Sequence, residues 1–386
     1  MKFSCGTKDI LQTIGIVGRA ITGQQALPIL NNILIQVEGK RCVLSATNLE
    51  FSIISHLDAE VENEGSITVP AKAIQNFAQY STDDEVVFET SEDSQLKCFS
   101  KKSKTIIAGE STSEYPKISP IKKETQITIN SKDLSDAIHN VAFASAKTTT
   151  RPVLSGVYMK VIKGDLYMVA TDSYRLSEYK VPVETKGEVE CIVPSRVLVE
   201  MMSVLGGKKI GDSKKKEDEK DSSDEKGYPV QMSLSPQQIE VVIGKTTLLS
   251  RLIDGAFPKY QQIIPEKHAT SALLPLGEFL TTVKRMHYFA KESNNNLTFS
   301  LNTKDVSIQT QTTQAGKDEA QISVDVKGEK NKIALSSSYL LDFLSHISGD
   351  EVHMEITDKM HPAVFRVPDA PNFLHLIMPL RMSEEE

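Results

Sequence analysis

Few residues in this 386-residue sequence have the type and spacing that chemistry requires. Gly244-Lys245-Thr246 has the ending of a phosphate-binding loop, in which backbone amides wrap a phosphate and the lysine balances its charge. Such a loop needs a glycine five residues earlier and a helix after it. Position 239 is Ile, and Glu240-Val241-Val242-Ile243 reads as a strand, so the nucleotide reading fails. Asp172 stands between the hydroxyls of Thr171 and Ser173, near Arg175, and could serve as a catalytic carboxylate; a turn-forming role suits it better. The eight histidines are dispersed, and none pairs at i, i+4 to place two ligands on one helix face. No Gly-x-Ser-x-Gly elbow presents a serine nucleophile. Cys5, Cys42, Cys98 and Cys191 are far apart in strand-like stretches and form no Cys-x-x-Cys pair. Asn296-Leu297-Thr298 is a glycosylation sequon without a secretory context. The sequence therefore assigns no catalytic residue, metal or cofactor.

Basic residues recur where helices are expected: Lys8, Arg19 and Lys72, then Lys132, Lys147 and Arg196, then Lys284, Arg285 and Lys291. The chain is nonetheless acidic, with 44 Lys plus Arg against 51 Asp plus Glu, a net −7. That balance excludes a protein that coats nucleic acid by bulk charge. Basic helices on an acidic chain suit a polyanion held weakly along one face. No apolar run reaches the roughly 18 residues of a membrane span, and the first residues lack a signal peptide's apolar core, so a cytoplasmic chain is expected.

The elements that would carry these residues repeat. Thr7-Lys8-Asp9-Ile10 recurs as Ser131-Lys132-Asp133-Leu134, a displacement of 124 residues. The same displacement carries Leu27-Pro28-Ile29-Leu30 onto Arg151-Pro152-Val153-Leu154, Ala46-Thr47-Asn48 onto Ala170-Thr171-Asp172, and Val69-Pro70 onto Val193-Pro194. Tyr115-Pro116 then matches Phe257-Pro258 at a displacement of 142, so 18 residues enter the second copy. The charged, nearly apolar-free stretch 211–228 is the insert, too polar to offset its ordering entropy. Asp84-Glu85-Val86 matches Asp350-Glu351-Val352 and gives a third copy, with seams near residues 124 and 267.

Within a copy, Ile10, Ile14, Val17 and Ile21 form one helical stripe that Leu134, Ile138 and Val141 repeat. Thr7 and Ser131 stand where a hydroxyl can cap the helix. Runs rich in β-branched residues follow, then a second helix over 71–77 after Val69-Pro70, then three more strands. Each copy reads as β-α-β-β-β performed twice, which predicts an α+β class with antiparallel sheets. The expected domains are 1–124, 125–267 (with the insert about 211–228) and 268–386.

These landmarks resemble the bacterial sliding clamp family, the β subunit of DNA polymerase III, over essentially the full length. The resemblance rests on Leu27-Pro28-Ile29-Leu30-Asn31-Asn32, Val169-Ala170-Thr171-Asp172-Ser173-Tyr174-Arg175-Leu176, Leu252-Ile253-Asp254-Gly255-Ala256-Phe257-Pro258-Lys259-Tyr260, and Ile377-Met378-Pro379-Leu380-Arg381. It implies three tandem clamp domains, sheets outside and two helices of each inside, in a head-to-tail homodimer ring around double-stranded DNA. It also implies a non-catalytic processivity factor whose partners are the polymerase III catalytic subunit, the clamp loader, and other DNA polymerases and repair proteins.

By motif, the resemblance places a peptide-binding cleft at Leu154, Thr171, Tyr174, Arg175, Leu176, Pro258, Ile263, Leu376 and Met378. Ser173-Tyr174 stands where many relatives have Gly-His, and Gln262 where some have Arg, so the rim is chemically altered. DNA-facing positions carry over to Gln24, Lys72, Thr148 and Arg196. The ring seam is expected to bring Ile106 and Ile107 against Tyr288 and Phe289 of the other chain. Two other readings use the same residues: an enzyme with one specialised copy around Asp172 and Arg175, and a β-rich interaction scaffold without DNA.

Overall fold

The computed structural model describes residues 1–21, 23, 27–91, 94–148, 150–206 and 227–381. Among them each copy has nine strands and two helices. The first runs β1 (Lys2–Gly6), α1 (Thr7–Val17), β2 (Asn32–Glu38), β3 (Arg41–Thr47), β4 (Phe51–Leu57), β5 (Glu60–Asn63), β6 (Gly65–Pro70), α2 (Ala71–Tyr80), β7 (Glu85–Thr90), β8 (Gln95–Phe99) and β9 (Lys104–Ala108). The second repeats it as β10 (Thr125–Asn130), α3 (Ser131–Ala142), β11 (Gly156–Ile162), β12 (Asp165–Thr171), β13 (Arg175–Pro182), β14 (Glu184–Lys186), β15 (Glu190–Pro194), α4 (Ser195–Gly206), β16 (Pro229–Leu234), β17 (Gln238–Ile243) and β18 (Thr246–Arg251). The third runs β19 (Thr270–Pro275), α5 (Leu276–Ala290), β20 (Asn296–Leu301), β21 (Asp305–Thr310), β22 (Glu319–Ser323), β23 (Val326–Gly328), β24 (Asn331–Ser336), α6 (Ser337–His346), β25 (Glu351–Ile356), β26 (Ala363–Val367) and β27 (Ala370–Ile377). The doubled β-α-β-β-β unit is present three times. The short ninth strand of each copy (β5, β14, β23) has too few residues to leave a period in the sequence. Residues 211–226 of the expected insert lie outside the described residues.

The chain forms two compact units that do not follow the repeat seams. One holds residues 1–131, 184–188 and 200–252. It contains the five-stranded sheet β5-β1-β7-β8-β9 and the nine-stranded sheet β14-β10-β16-β17-β18-β4-β3-β2-β6. The other holds 132–183, 189–199 and 253–386, with the nine-stranded sheet β15-β11-β12-β13-β27-β26-β25-β19-β23 and the four-stranded sheet β22-β21-β20-β24. Among the described residues every strand pair is antiparallel. In both nine-stranded sheets the last strand of one copy pairs with the fourth strand of the copy before it. β18 lies on β4, where the buried hydroxyls of Ser55 and Thr246 meet at 3.0 Å, and β27 lies on β13.

The helical stripe is buried as its period predicts at Ile10, Ile14 and Val17, and at Leu134, Ile138 and Val141. Each such side chain contributes about 1.5–3 kcal/mol by leaving water. Ile21 departs from the stripe, because α1 ends at Val17 and residues 18–20 tighten into a 3-10 turn. The hydroxyl caps also differ from expectation. Thr7 is itself the first helical residue, and its Oγ1 donates to the Asp83 carbonyl (2.5 Å); Ser131 Oγ accepts the Tyr228 amide (3.0 Å). Both hydroxyls tie a helix start to a neighbouring loop. Gly244 occupies the turn between β17 and β18 at φ +55°, a left-handed conformation that glycine adopts at no steric cost, and Lys245 pairs with Asp58. The lysine belongs to a hairpin, not a phosphate loop.

Candidate functional site

The residues between β12 and β13 form a tight turn organised by one carboxylate. Asp172 Oδ1 accepts the amides of Tyr174 (2.9 Å) and Arg175 (3.0 Å). Thr171 Oγ1 donates to the Arg175 carbonyl (2.6 Å) and accepts the Ser173 amide (3.1 Å). The first copy builds the same turn, with Asn48 Oδ1 accepting the amides of Glu50 (3.1 Å) and Phe51 (2.7 Å). Leu49 and Ser173 hold the left-handed position at φ 76° and 80°. Asp172 is thus the turn former that its residue type suggested.

The turn sends its last two side chains opposite ways. Tyr174 is 61% exposed, whereas Arg175 is 3% exposed and spends its guanidinium on three acceptors. Nε reaches Asp172 Oδ2 (3.1 Å), Nη1 reaches Asp342 Oδ2 (2.8 Å) and Nη2 reaches the Phe143 carbonyl (2.8 Å). The guanidinium carbon also lies 4.9 Å from the Tyr339 ring and 5.5 Å from the Phe143 ring. Arg175 therefore positions the turn and helix α6. Burial, and secondly Asp172, raise the pKa of the Tyr339 hydroxyl, which keeps it a neutral donor.

On the exposed side, the Tyr174 and Tyr339 rings lie nearly parallel, 6.3 Å apart at 17°. The Tyr174 carbonyl accepts the Met378 amide (2.8 Å). These three residues, with Pro379 and Leu380, form the apolar part of a groove of about 640 Å3. Its lining also includes the polar residues Glu292, Asn296, Gln311 and Arg381. An apolar, aromatic wall with a Met and a few convergent polar groups suits an extended peptide side chain more than a small charged substrate.

The nine expected cleft residues are placed unequally. Tyr174 and Met378 share the groove. Leu176 and Leu376 are cross-strand partners in a buried apolar cluster with Tyr158, Tyr260 and Val364. Leu154, Pro258 and Ile263 stand outside that cluster, although their neighbours Val153, Phe257 and Ile264 pack on it. Leu154, Thr171 and Arg175 are buried; Pro258 and Ile263 are exposed. Sequence reasoning missed Phe143, Tyr339 and Asp342. The last two lie three apart on α6, and that spacing on one helix face was the available signal. The sequon residue Asn296 is buried at the start of β20, out of reach of glycosylation.

Of the DNA-facing positions, Lys72, Thr148 and Arg196 are exposed, and Gln24 lies outside the described residues. Some expected basic decoration is spent elsewhere. Arg19 pairs with Glu200 (2.8 Å) and Arg285 with Asp318 (2.9 Å), while Lys147 lies beyond the end of α3. Of the seam residues, Ile106 is 51% exposed on the edge strand β9, but Ile107 faces the core of its own sheet. Tyr288 is 69% exposed and meets Phe289 edge-on at 5.3 Å. Among the described residues no helix is long and apolar enough to cross a membrane.

A thrice-repeated antiparallel α+β unit with a small apolar groove defines a repeat-built binding protein. Three domain models of one family match in succession: the DNA polymerase III beta subunit N-terminal domain over residues 1–119, its central domain over 128–212 and its C-terminal domain over 261–381. The beta sliding clamp of Caulobacter vibrioides is 26% identical over 390 residues, covering 99% of this chain and all of that protein. The crystal structure of the Bacillus subtilis DNA polymerase sliding clamp superposes with a TM-score of 0.90 at 24% identity, over 99% of this chain and 100% of that one. The Thermotoga maritima DNA polymerase III beta subunit does so at 0.89 and 22% identity, with the same coverage. The chain belongs to the DNA polymerase III beta subunit family, the bacterial sliding clamps.

Proposed function

We propose that this chain is one protomer of a head-to-tail dimeric ring that encircles duplex DNA and tethers DNA polymerase III to its template without itself catalysing a reaction. The pattern of strand pairing between copies carries this reading. β18 completes the sheet of β4, and β27 completes that of β13. The equivalent strand ending the first copy is β9, and the equivalent fourth strand of the third copy is β22. Each is an edge of its own sheet. The same pairing recurs at these edges only if β22 of one chain meets β9 of another, and two such junctions close a ring of six copies. Exposed edges of this kind otherwise invite uncontrolled association. The repeat seams then mark three clamp domains, 1–124, 125–267 and 268–386, with sheets outward and helices inward.

Encirclement also accounts for the charge. A ring held by topology needs only a few phosphate contacts, and exposed Lys72 and Arg196 on the helices, with Thr148 and Gln24, supply them without adhesion that would stall sliding. The groove of Tyr174, Tyr339 and Met378 takes an apolar peptide of the polymerase, the clamp loader or other DNA polymerases and repair proteins in the cytoplasm. Pro258 and Ile263, exposed beside the apolar cluster of Leu176 and Leu376, extend its walls, and Leu154, buried next to Val153 of that cluster, backs them. Sedimentation equilibrium tests the ring: twice the mass of one chain is expected, and a single-chain mass at micromolar concentration refutes it.

A further inference from the structure

We infer that a second cavity, of about 470 Å3 on the third copy's part of the β15–β23 sheet, binds a small apolar zwitterion, a dipeptide with free ammonium and carboxylate ends. Ala272 and Leu274 of β19 enter the core, so Ser271 and Leu273 face the other side of the sheet. Leu273, His353 and Arg366 are register partners on β19, β25 and β26 and make the floor. Val367, Pro368 and Pro371 supply an apolar wall from the β26–β27 hairpin. The edge strand β23 supplies another, with Lys327 on it and Asp325 just before it. That volume, apolar walls and a few polar groups are the make-up of a small-molecule site.

The polar groups of the cavity are unspent. Ser271 is only 5% exposed, yet its hydroxyl has no hydrogen-bond partner among the described residues, so a polar ligand group that reaches it makes good a missing bond. Lys327 and Asp325 are exposed and form no ion pair or hydrogen bond among the described residues. Arg366 touches Glu355 only through Nε, at 3.5 Å, which leaves Nη1 and Nη2 as a donor pair for a carboxylate. Glu355 is also taken up by His353 Nδ1 (3.2 Å), and Glu178, the other carboxylate near Arg366, by the Tyr260 hydroxyl. Lys327 and Arg366 against Asp325 and Glu355 leave no net charge, which matches a ligand with one charge of each sign. Three inter-strand spacings, about 14 Å in all, separate β23 from β26. Charges so far apart at the backbone suit a dipeptide, whose ends lie about 6 Å apart, better than a single amino acid.

The test is calorimetric titration of the full chain with L-leucyl-L-leucine, its N-acetyl form, its C-terminal amide and glycylglycine. The free dipeptide is expected to bind with a Kd of about 0.1–1 mM, and the N-acetyl form and the amide about tenfold more weakly each. Glycylglycine, without apolar side chains, is expected not to bind. Asp325→Asn should weaken the free dipeptide about tenfold and leave the N-acetyl form, which has no ammonium, unchanged. Arg366→Gln should weaken the free dipeptide by a similar factor and leave the amide, which has no carboxylate, unchanged. Both side chains are exposed, so both variants are expected to fold. An N-acetyl form or an amide that binds as tightly as the free dipeptide overturns the zwitterion. Binding untouched by both substitutions puts the dipeptide elsewhere on the chain, and no binding at about 10 mM means no site; either result overturns the proposal.

Discussion

His375 Nδ1 and Ser177 Oγ stand 2.8 Å apart, as cross-strand partners on β27 and β13, with both side chains completely buried. The imidazole stacks on Phe343 at 4.6 Å, and its Nε2 has no hydrogen-bond partner among the described residues. Burial, and then the positive field of Arg175, hold its pKa well below the ordinary histidine value. His346 nearby is lowered as well, chiefly by burial.

Acid is therefore expected to destabilise this unit. Both histidines are neutral when folded and bind a proton near pH 6.5 when unfolded, so their stabilising contribution is complete above that pH. It is lost as pH falls through 6.5 toward the depressed folded values, by up to about 1.4 kcal/mol per pH unit for each histidine. Urea midpoints between pH 7.5 and 5 should fall in the native chain and fall less steeply in His375→Asn. Identical pH profiles for the two would show that His375 is not the titrating group.

Arg175 is the second point of leverage. Arg175→Lys keeps one charge but cannot span Asp172, Asp342 and the Phe143 carbonyl together. A loss of about 2–3 kcal/mol is expected from the stranded acceptors, read as a lower thermal midpoint. An unchanged midpoint would mean that the network is incidental.

Met378 tests the groove. Met378→Ala should weaken binding of a peptide with a Leu- and Phe-bearing apolar core by about 1–2 kcal/mol, while the backbone amide of residue 378 still holds the Tyr174 carbonyl. Sedimentation should stay as in the native chain. Undiminished peptide affinity would remove Met378 from the site.

The ring seam is tested apart from the groove. Tyr288→Ala with Phe289→Ala should shift dimers toward single chains at low concentration, because the exposed Tyr288 ring stands edge-on to the half-buried Phe289 ring. Ile106→Ala should do so more weakly, and Ile107→Ala should instead lower fold stability, since that side chain is buried. Equal effects of the two isoleucine changes on dimerisation alone would contradict this division of roles.

The repeat and its elements were legible because they are periodic: the Ile10, Ile14 and Val17 stripe and the match of Thr47-Asn48 to Thr171-Asp172 both survive as geometry. Pairing between copies was not, since nothing in Phe51–Leu57 or Thr246–Arg251 names its partner, and Ser55 and Thr246 lie 191 residues apart in the chain. Burial of Arg175 was hidden too. Its acceptors are the Phe143 carbonyl in the turn after α3 and Asp342 on α6, and only tertiary packing brings them to one guanidinium. Side-chain facing on β9 was readable in principle from its period of two, which puts Ile106 and Ile107 on opposite faces.

Encirclement itself is tested most directly on nicked circular DNA. Chain loaded by a clamp loader should co-elute with the circle through high salt and be released when the circle is cut once, because the ring slides off the ends. Equal retention before and after cutting would mean that the protein grips DNA, and the ring account would fall.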